Sequence, residues 1–255
     1  MARAAALLLC VVWALSPIAV GAPQAQPASG PAIARMDELW ATRDDTGAMQ
    51  DAVRAGNELI AADPTNYEAE WRLARAYWWL ALTQRDRLGR KALAVRAMEW
   101  AERARNHRPE RVEGHYFMAI SVGEYGATIG VMQALVDGIA GKVESAALRA
   151  NEIDSDYAVG APGIVLGRYY FMLPWPKRDL HRSQRYLENV VRRHPGKLIA
   201  HQFLAETYYA LGERDQAHGQ LLLVLTTAPA PDTERDLPAP KPLAEASLRE
   251  WFGGH

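Results

Sequence analysis

Cysteine is almost absent: Cys10 is the only one in 255 residues, and it sits in a hydrophobic run at the extreme N-terminus. Val, Ile and Thr are sparse beside Ala, Leu, Arg and Glu, a balance that favours helix over strand. No alternating apolar and polar run of useful strand length occurs. There is neither a GxSxG nucleophile elbow nor a GxxxxGK[ST] phosphate loop. The histidines His107, His115, His181, His194, His201, His218 and His255 form no i,i+4 pair and no HExxH arrangement, and Pro195 separates His194 from His201. Together these gaps point away from catalysis, from a metal site and from a bound cofactor. An excess of one charge is missing too. With a formal net charge of −1, bulk electrostatics draw the chain neither to nucleic acid nor to an anionic membrane surface.

The N-terminus reads as a leader. Arg3 precedes an apolar run over residues 4–20, followed by Gly21, Ala22 and a stretch of small residues, Gln and Pro up to Pro31. A short positive region, a hydrophobic core and small residues beyond it describe a secretory signal peptide, assigned here to 1–25, with 26–31 as linker. A membrane anchor is the competing reading, because the run approaches spanning length; Pro17 and the small residues that end the run favour cleavage. Leu9 stands where a lipobox needs a small residue, so Cys10 leaves with the leader. The expected mature protein is cysteine-free and periplasmic or otherwise exported, touching a membrane only through an uncleaved leader.

Self-similarity sets the architecture. Leu73-Ala74-Arg75-Ala76-Tyr77, Met118-Ala119-Ile120-Ser121-Val122, Leu166-Gly167-Arg168-Tyr169-Tyr170 and Leu204-Ala205-Glu206-Thr207-Tyr208 share one pattern: large apolar, small, two variable positions, then aromatic or branched. First and last lie four apart on one helix face, and the small residue admits a neighbouring helix closely. The last copy continues through Gly212, Ala217 and Leu221 to Pro229. This matches the tetratricopeptide pattern of small, aromatic and proline positions. Pro64, Pro109 and Pro195 close other units, and Asp154-Ser155-Asp156 takes that place in the middle one. The expected fold is an all-α tetratricopeptide-like array of four to five helix pairs, irregular because its units exceed the ideal period. Helices are predicted over 32–43, 47–62, 66–84, 88–106, 112–128, 131–152, 160–172, 180–193, 197–211 and 214–226. The repeat domain then spans 32–227, a Pro-rich linker 228–242, and a short capping helix 243–255.

The middle third carries a more particular succession: Gly114-His115-Tyr116, Gly123-Glu124-Tyr125-Gly126, Ile153-Asp154-Ser155-Asp156-Tyr157, Gly160-Ala161-Pro162-Gly163 and Leu173-Pro174-Trp175-Pro176. This order resembles the T-component family of TRAP transporters (TatT-like proteins), from about Asp63 to Ala217. The resemblance implies a periplasmic helical-repeat protein that associates with a TRAP solute-binding protein, forms oligomers and offers a cleft for a small organic or apolar ligand. A general envelope scaffold that captures protein partners is the alternative.

Aromatic and basic side chains supply the binding candidates. Trp78 and Trp79 are consecutive, about 100° apart on a helix, so they cannot bury equally in one stripe, and one is free to line a groove. Tyr116 and Tyr169 belong to the aromatic cluster of the middle third, where packing between repeats competes with binding. Arg75 and Arg168 occupy the same repeat position, which helical arrays turn toward their inner face. His115 and Glu124 are candidates to orient a polar group. Trp175, stiffened by Pro174 and Pro176, suits a protein interface, while a tucked loop is the competing reading. The Gly123, Gly126 and Gly130 spacing is assigned to close packing or a kink.

Overall fold

A computed structural model describes residues 29–231 and 239–253; the expected leader over 1–25, Cys10 included, lies outside them. Twelve helices and no strand occupy the described residues. They are α1 (Ser29–Ala41), α2 (Ala48–Ala62), α3 (Tyr67–Thr83), α4 (Arg87–His107), α5 (Val112–Ile129), α6 (Val131–Val136), α7 (Ile139–Ile153), α8 (Tyr157–Met172), α9 (Leu180–Arg193), α10 (Leu198–Leu211), α11 (Arg214–Thr226) and α12 (Pro240–Phe252). Several begin on side-chain caps that satisfy an orphan backbone donor. Asn66 Oδ1 accepts from the amide of Ala69, Asp86 from Gly89 and Asp179 from Arg182, at 3.0, 2.6 and 2.8 Å.

Consecutive helices pair as hairpins: α1 with α2, α3 with α4, α5 with α7, α8 with α9 and α10 with α11. The first members, α1, α3, α5, α8 and α10, touch in sequence and form the inner row of the array, and α12 closes its end. This is the expected tetratricopeptide-like array, with five hairpins and a cap.

The repeat positions explain the packing. Leu73, Leu166 and Leu204 are buried to 1% exposure or less, and Met118 is buried beside them. Ala74, Ala119 and Ala205 follow them, also buried. In the third segment a Cβ on Gly167 would lie 2.5 Å from Leu187 Cγ, so glycine there lets α8 and α9 close on each other. The ring or branched side chains that end the segments bury at Val122, Tyr170 and Tyr208; Tyr77 is half-buried under the Arg96 guanidinium. His115 and His201 answer to each other in the third and fifth hairpins. Each turns Nε2 to the carbonyl six residues earlier, that of Pro109 at 2.9 Å and of Pro195 at 3.0 Å, tying the proline turn to the inner helix.

Three segments depart from the predicted spans. The single helix expected over 131–152 is two, because Gly138 adopts φ 69 and ends α6. Gly130, at φ 91, turns the chain between α5 and α6. Residues Ala158, Val159 and Gly160 are all left-handed, with φ 46, 61 and 78. The right-handed turns of α8 therefore start at Ala161, which puts Pro162 in a first turn where its missing N–H is harmless. Finally, α12 starts at Pro240, inside the expected Pro-rich linker, for the same reason: Pro240 and Pro242 sit in its first turn. Trp251 stacks on Tyr209 at 4.2 Å, and Ala244, Leu248 and Phe252 cover the apolar face left by α10 and α11.

Candidate functional site

The inner row encloses a cleft of about 450 Å³. Trp40, Trp78, Trp79, Tyr116 and Phe117 wall one side, and Tyr157, Ile164 and Phe203 the other. The two adjacent tryptophans divide as their helix geometry requires. Trp79 is 5% exposed and donates Nε1 to the carbonyl of Arg43 at 3.2 Å, whereas Trp78 stays half-buried at the cleft surface. Trp40 meets Trp79 edge to face at 5.6 Å, an arrangement favoured by ring quadrupoles.

Among the described residues, charge lining this cleft is of one sign: Arg43, Arg75 and Lys197 line it, and no acidic side chain of the described residues does. Arg43 lies over the Trp40 and Trp79 rings, and Arg75 over Trp40 and Trp71, at 4.6–5.0 Å from ring centroid to guanidinium carbon. Behind the wall, Asp37 of α1 holds both Arg75, at 2.8 Å, and Arg72, at 2.7 Å. Burial pulls Arg75 down to about 10, against the attraction of Asp37. Asp37 itself is held below the usual carboxylate range: its burial, which works the other way, is outweighed by the two guanidinium groups. Burial also raises the Tyr157 hydroxyl well above an ordinary phenol, so it faces the cleft as a neutral donor.

The left-handed turn lies in the wall of this cleft, through Ala158 and Val159. A β-branched residue at φ 61 is costly, on the order of 1–2 kcal/mol. Strain of this kind concentrates at sites whose shape the rest of the fold dictates.

A second hollow, about 370 Å³, continues the same surface beyond Ile164, Val165 and Phe203, which border both. It is an apolar groove between α5, α6, α7 and α8, and Arg168 is its single charged lining residue.

The structure separates the sequence candidates into distinct places. Arg75, Trp78 and Tyr116 meet in the cleft, while Arg168 and Tyr169 border the apolar groove. Arg168 is not open to a ligand charge: Glu206, its equivalent on the next inner helix, takes its guanidinium, and its cation rests on Phe203 and Phe171. Tyr169 directs its hydroxyl to Glu144 at 3.3 Å. His115 and Glu124 lie away from both hollows. His115 serves the proline turn, and burial lowers its pKa below the ordinary value; Glu124 is buried against Arg90 of α4. Trp175 is 88% exposed and does not tuck under the following pair. Leu173, two residues earlier, is the side chain that turns inward there. Sequence reasoning missed Trp40, Arg43 and Lys197. None sits at a repeat-signature position, and only stacking of the inner helices brings them to one cleft. Among the described residues no group of histidine and acidic side chains is placed to hold a metal ion, and no helix is long and apolar enough to cross a membrane.

The sequence profile of the family described as regulator of microtubule dynamics protein 1-3 matches residues 32–182, more than half of the chain. It is not the transporter family suggested by the motif order. No curated protein matches the sequence. Among solved structures, a thermophilic TPR protein of Thermus thermophilus superposes with a TM-score of 0.64 at 18% identity, covering 87% of this chain and all of its own. MamA superposes with a TM-score of 0.51 at 19% identity, covering 74% of this chain and 92% of its own. At these identities the likeness is one of fold.

Proposed function

Since the chain belongs to the family described as regulator of microtubule dynamics protein 1-3, and folds as a tetratricopeptide-like array, we propose that it is a non-enzymatic scaffold that captures a protein partner in its inner cleft. The observation that carries this reading is the composition of the cleft among the described residues: aromatic walls, three basic side chains and no acidic one. Such a surface fits an extended acidic segment with an aromatic or aliphatic side chain. Cations set over rings keep attraction for carboxylates while the rings supply contact area at low entropy. Trp78 is the central contact with Tyr116 beside it, and Arg75, already paired with Asp37 through Nη2, adds its remaining donors.

A short fluorescein-labelled peptide rich in Glu and Phe tests it by polarisation. Arg75→Met together with Trp78→Ala is expected to weaken binding roughly tenfold or more, because central aromatic and arginine anchors dominate such interfaces. An equal loss for the Lys-and-Phe version of the peptide, or no loss for either, counts against the reading.

Export belongs to the same proposal, resting on the leader over 1–25, with the mature repeat domain over 32–227 acting outside the cytoplasm. Intact mass of protein recovered from the producing cell should lack the first 22–25 residues. Recovery of the whole chain from the cytosol would reject it. Association with a TRAP solute-binding protein, with a small organic or apolar ligand and with a homo-oligomer, is the secondary reading. The apolar groove beside the cleft is the observation that favours it.

A further inference from the structure

Five of the nine large apolar side chains exposed among the described residues gather at one end of the apolar groove. Val131, Met132 and Val136 project from α6, at 42, 67 and 80% exposure, Met172 from the last turn of α8 and Trp175 from the loop after it. The two segments share one mouth, since Val131 and Leu135 line the groove opposite Met172 and Leu173, two residues before Trp175. α6 is set off from α5 and α7 by positive-φ glycines at Gly130 and Gly138, and five of its six residues are apolar.

Three exposed cations stand around this tip. Lys142, Lys177 and Arg178 are exposed beside it, and neither lysine has an acidic partner among the described residues. Of the nearby acids, Asp179 caps α9 and pairs with Arg182, whereas Asp137 keeps its charge while it accepts from the neutral Gln133 Nε2 at 2.7 Å. Glu144 takes the Tyr170 hydroxyl at 2.7 Å.

We propose that this tip docks on an anionic lipid bilayer, with Trp175, Met132 and Val136 entering the headgroup boundary and Lys142, Lys177 and Arg178 meeting lipid phosphates. A proline-held tryptophan followed directly by two basic residues has the amphipathic order of the membrane interface: ring at the headgroup level, cations above it. A second copy of the chain fits less well. A two-fold contact would set the same basic rim against itself, and five side chains fall well short of the roughly 800 Å² per partner of a stable interface. The near-neutral net charge conceals the site, because the basic rim is local to one end of the array.

The experiment uses the full chain with Cys10→Ser and an environment-sensitive fluorophore on Val136→Cys, mixed with vesicles of phosphatidylcholine alone or with an equal part of phosphatidylglycerol. Label on Leu222→Cys, in the outer helix α11, is the control. The expected result is a several-fold rise at position 136 that requires phosphatidylglycerol, is quenched by brominated acyl chains, and falls about tenfold in apparent affinity with Trp175→Glu. A local insertion signal is independent of any tethering by residues 4–20, which would move both labels alike. No response at 136, an equal response at 222, or indifference to Trp175→Glu overturns the proposal. So does a response that grows with protein concentration in the absence of vesicles, which identifies a dimer.

Discussion

Gly114→Ala is expected to destabilise the protein by about 3 kcal/mol, the upper part of the range for overpacking a filled interior. An added Cβ would lie 2.7 Å from the backbone nitrogen and 3.0 Å from the Cα of Arg105, and 3.1 Å from the backbone carbon of Ala104. These are main-chain atoms of α4, unable to swing aside as a side-chain terminus does. The contact has no slack, because Ala97, Ala101 and Ala104 already place α4 against α5 and its neighbours with no exposed surface. Relief requires the two helices to separate and open gaps along the largest core cluster. Alanine's better helix propensity, about 1 kcal/mol, only partly offsets this. Gly123, one helix face away, has nothing within 4 Å of its would-be Cβ. Gly123→Ala should therefore leave stability unchanged or raise it by up to about 1 kcal/mol. Thermal melts of the two variants read opposite signs. A melting temperature for Gly114→Ala within a degree or two of the parent would show that α4 and α5 are not in backbone contact.

Asp37→Asn carries the second large effect, about 2 kcal/mol of destabilisation at neutral pH. Arg72 and Arg75 keep only 10 and 11% of their side-chain surface exposed, and Asp37 is the anion both share. Removing it leaves Glu68 for Arg72 and no carboxylate for Arg75. Full burial of the triad would make the loss 3–5 kcal/mol; Asp37 is 43% exposed, and water screens part of the interaction. Acid brings the two proteins together. Asp37 has a folded pKa below its ordinary value of 3.8, so its contribution is complete above 3.8 and is lost as pH falls through the lower folded value. The gap between parent and variant should accordingly close under acid. His115 acts in both proteins alike. Its pKa is depressed in the folded state, so stability present above 6.5 is lost as pH falls below that value, when the unfolded chain takes up the proton first. Urea midpoints measured between pH 7 and pH 3 check both slopes. A parent-to-variant gap that stays constant down to pH 3 would mean that Asp37 is not ionised against the two arginines.

The array was legible because its signals are local. Four small residues at a fixed place beside a large apolar one, with prolines at the turns, specify hairpins whatever lies between them. Breaks in the array were less visible. Gly138 inside an apolar stretch reads as a tolerated helical glycine, and only its φ of 69 reveals a terminus. Ala158 and Val159 carry no left-handed signal, since neither residue type favours that region; the fold imposes it on them. The candidate site was half legible. Arg75, Trp78 and Tyr116 were drawn from inner-helix positions and do share the cleft. Arg168 came from the same reasoning, yet its charge is taken up by Glu206, which occupies the matching position one unit on. Single-helix periodicity places both on the inner face but says nothing of their distance across it. Trp40, Arg43 and Lys197 converge from segments up to 157 positions apart, a proximity only the superhelix creates.

The left-handed passage through Ala158, Val159 and Gly160 divides the chain mechanically. In an uninterrupted array each unit templates the next, so cooperativity runs the whole length and a copy can be added or lost without re-aiming the others. Here the coupling from α7 to α8 passes through a corner that no generic repeat would reproduce. Duplicating or deleting a unit on either side would rotate one half of the inner surface against the other. The cleft draws its walls from both halves, with the corner itself as one wall. Its shape is consequently tied to this number and order of units, and the protein has left the regime in which repeat arrays evolve by changing length.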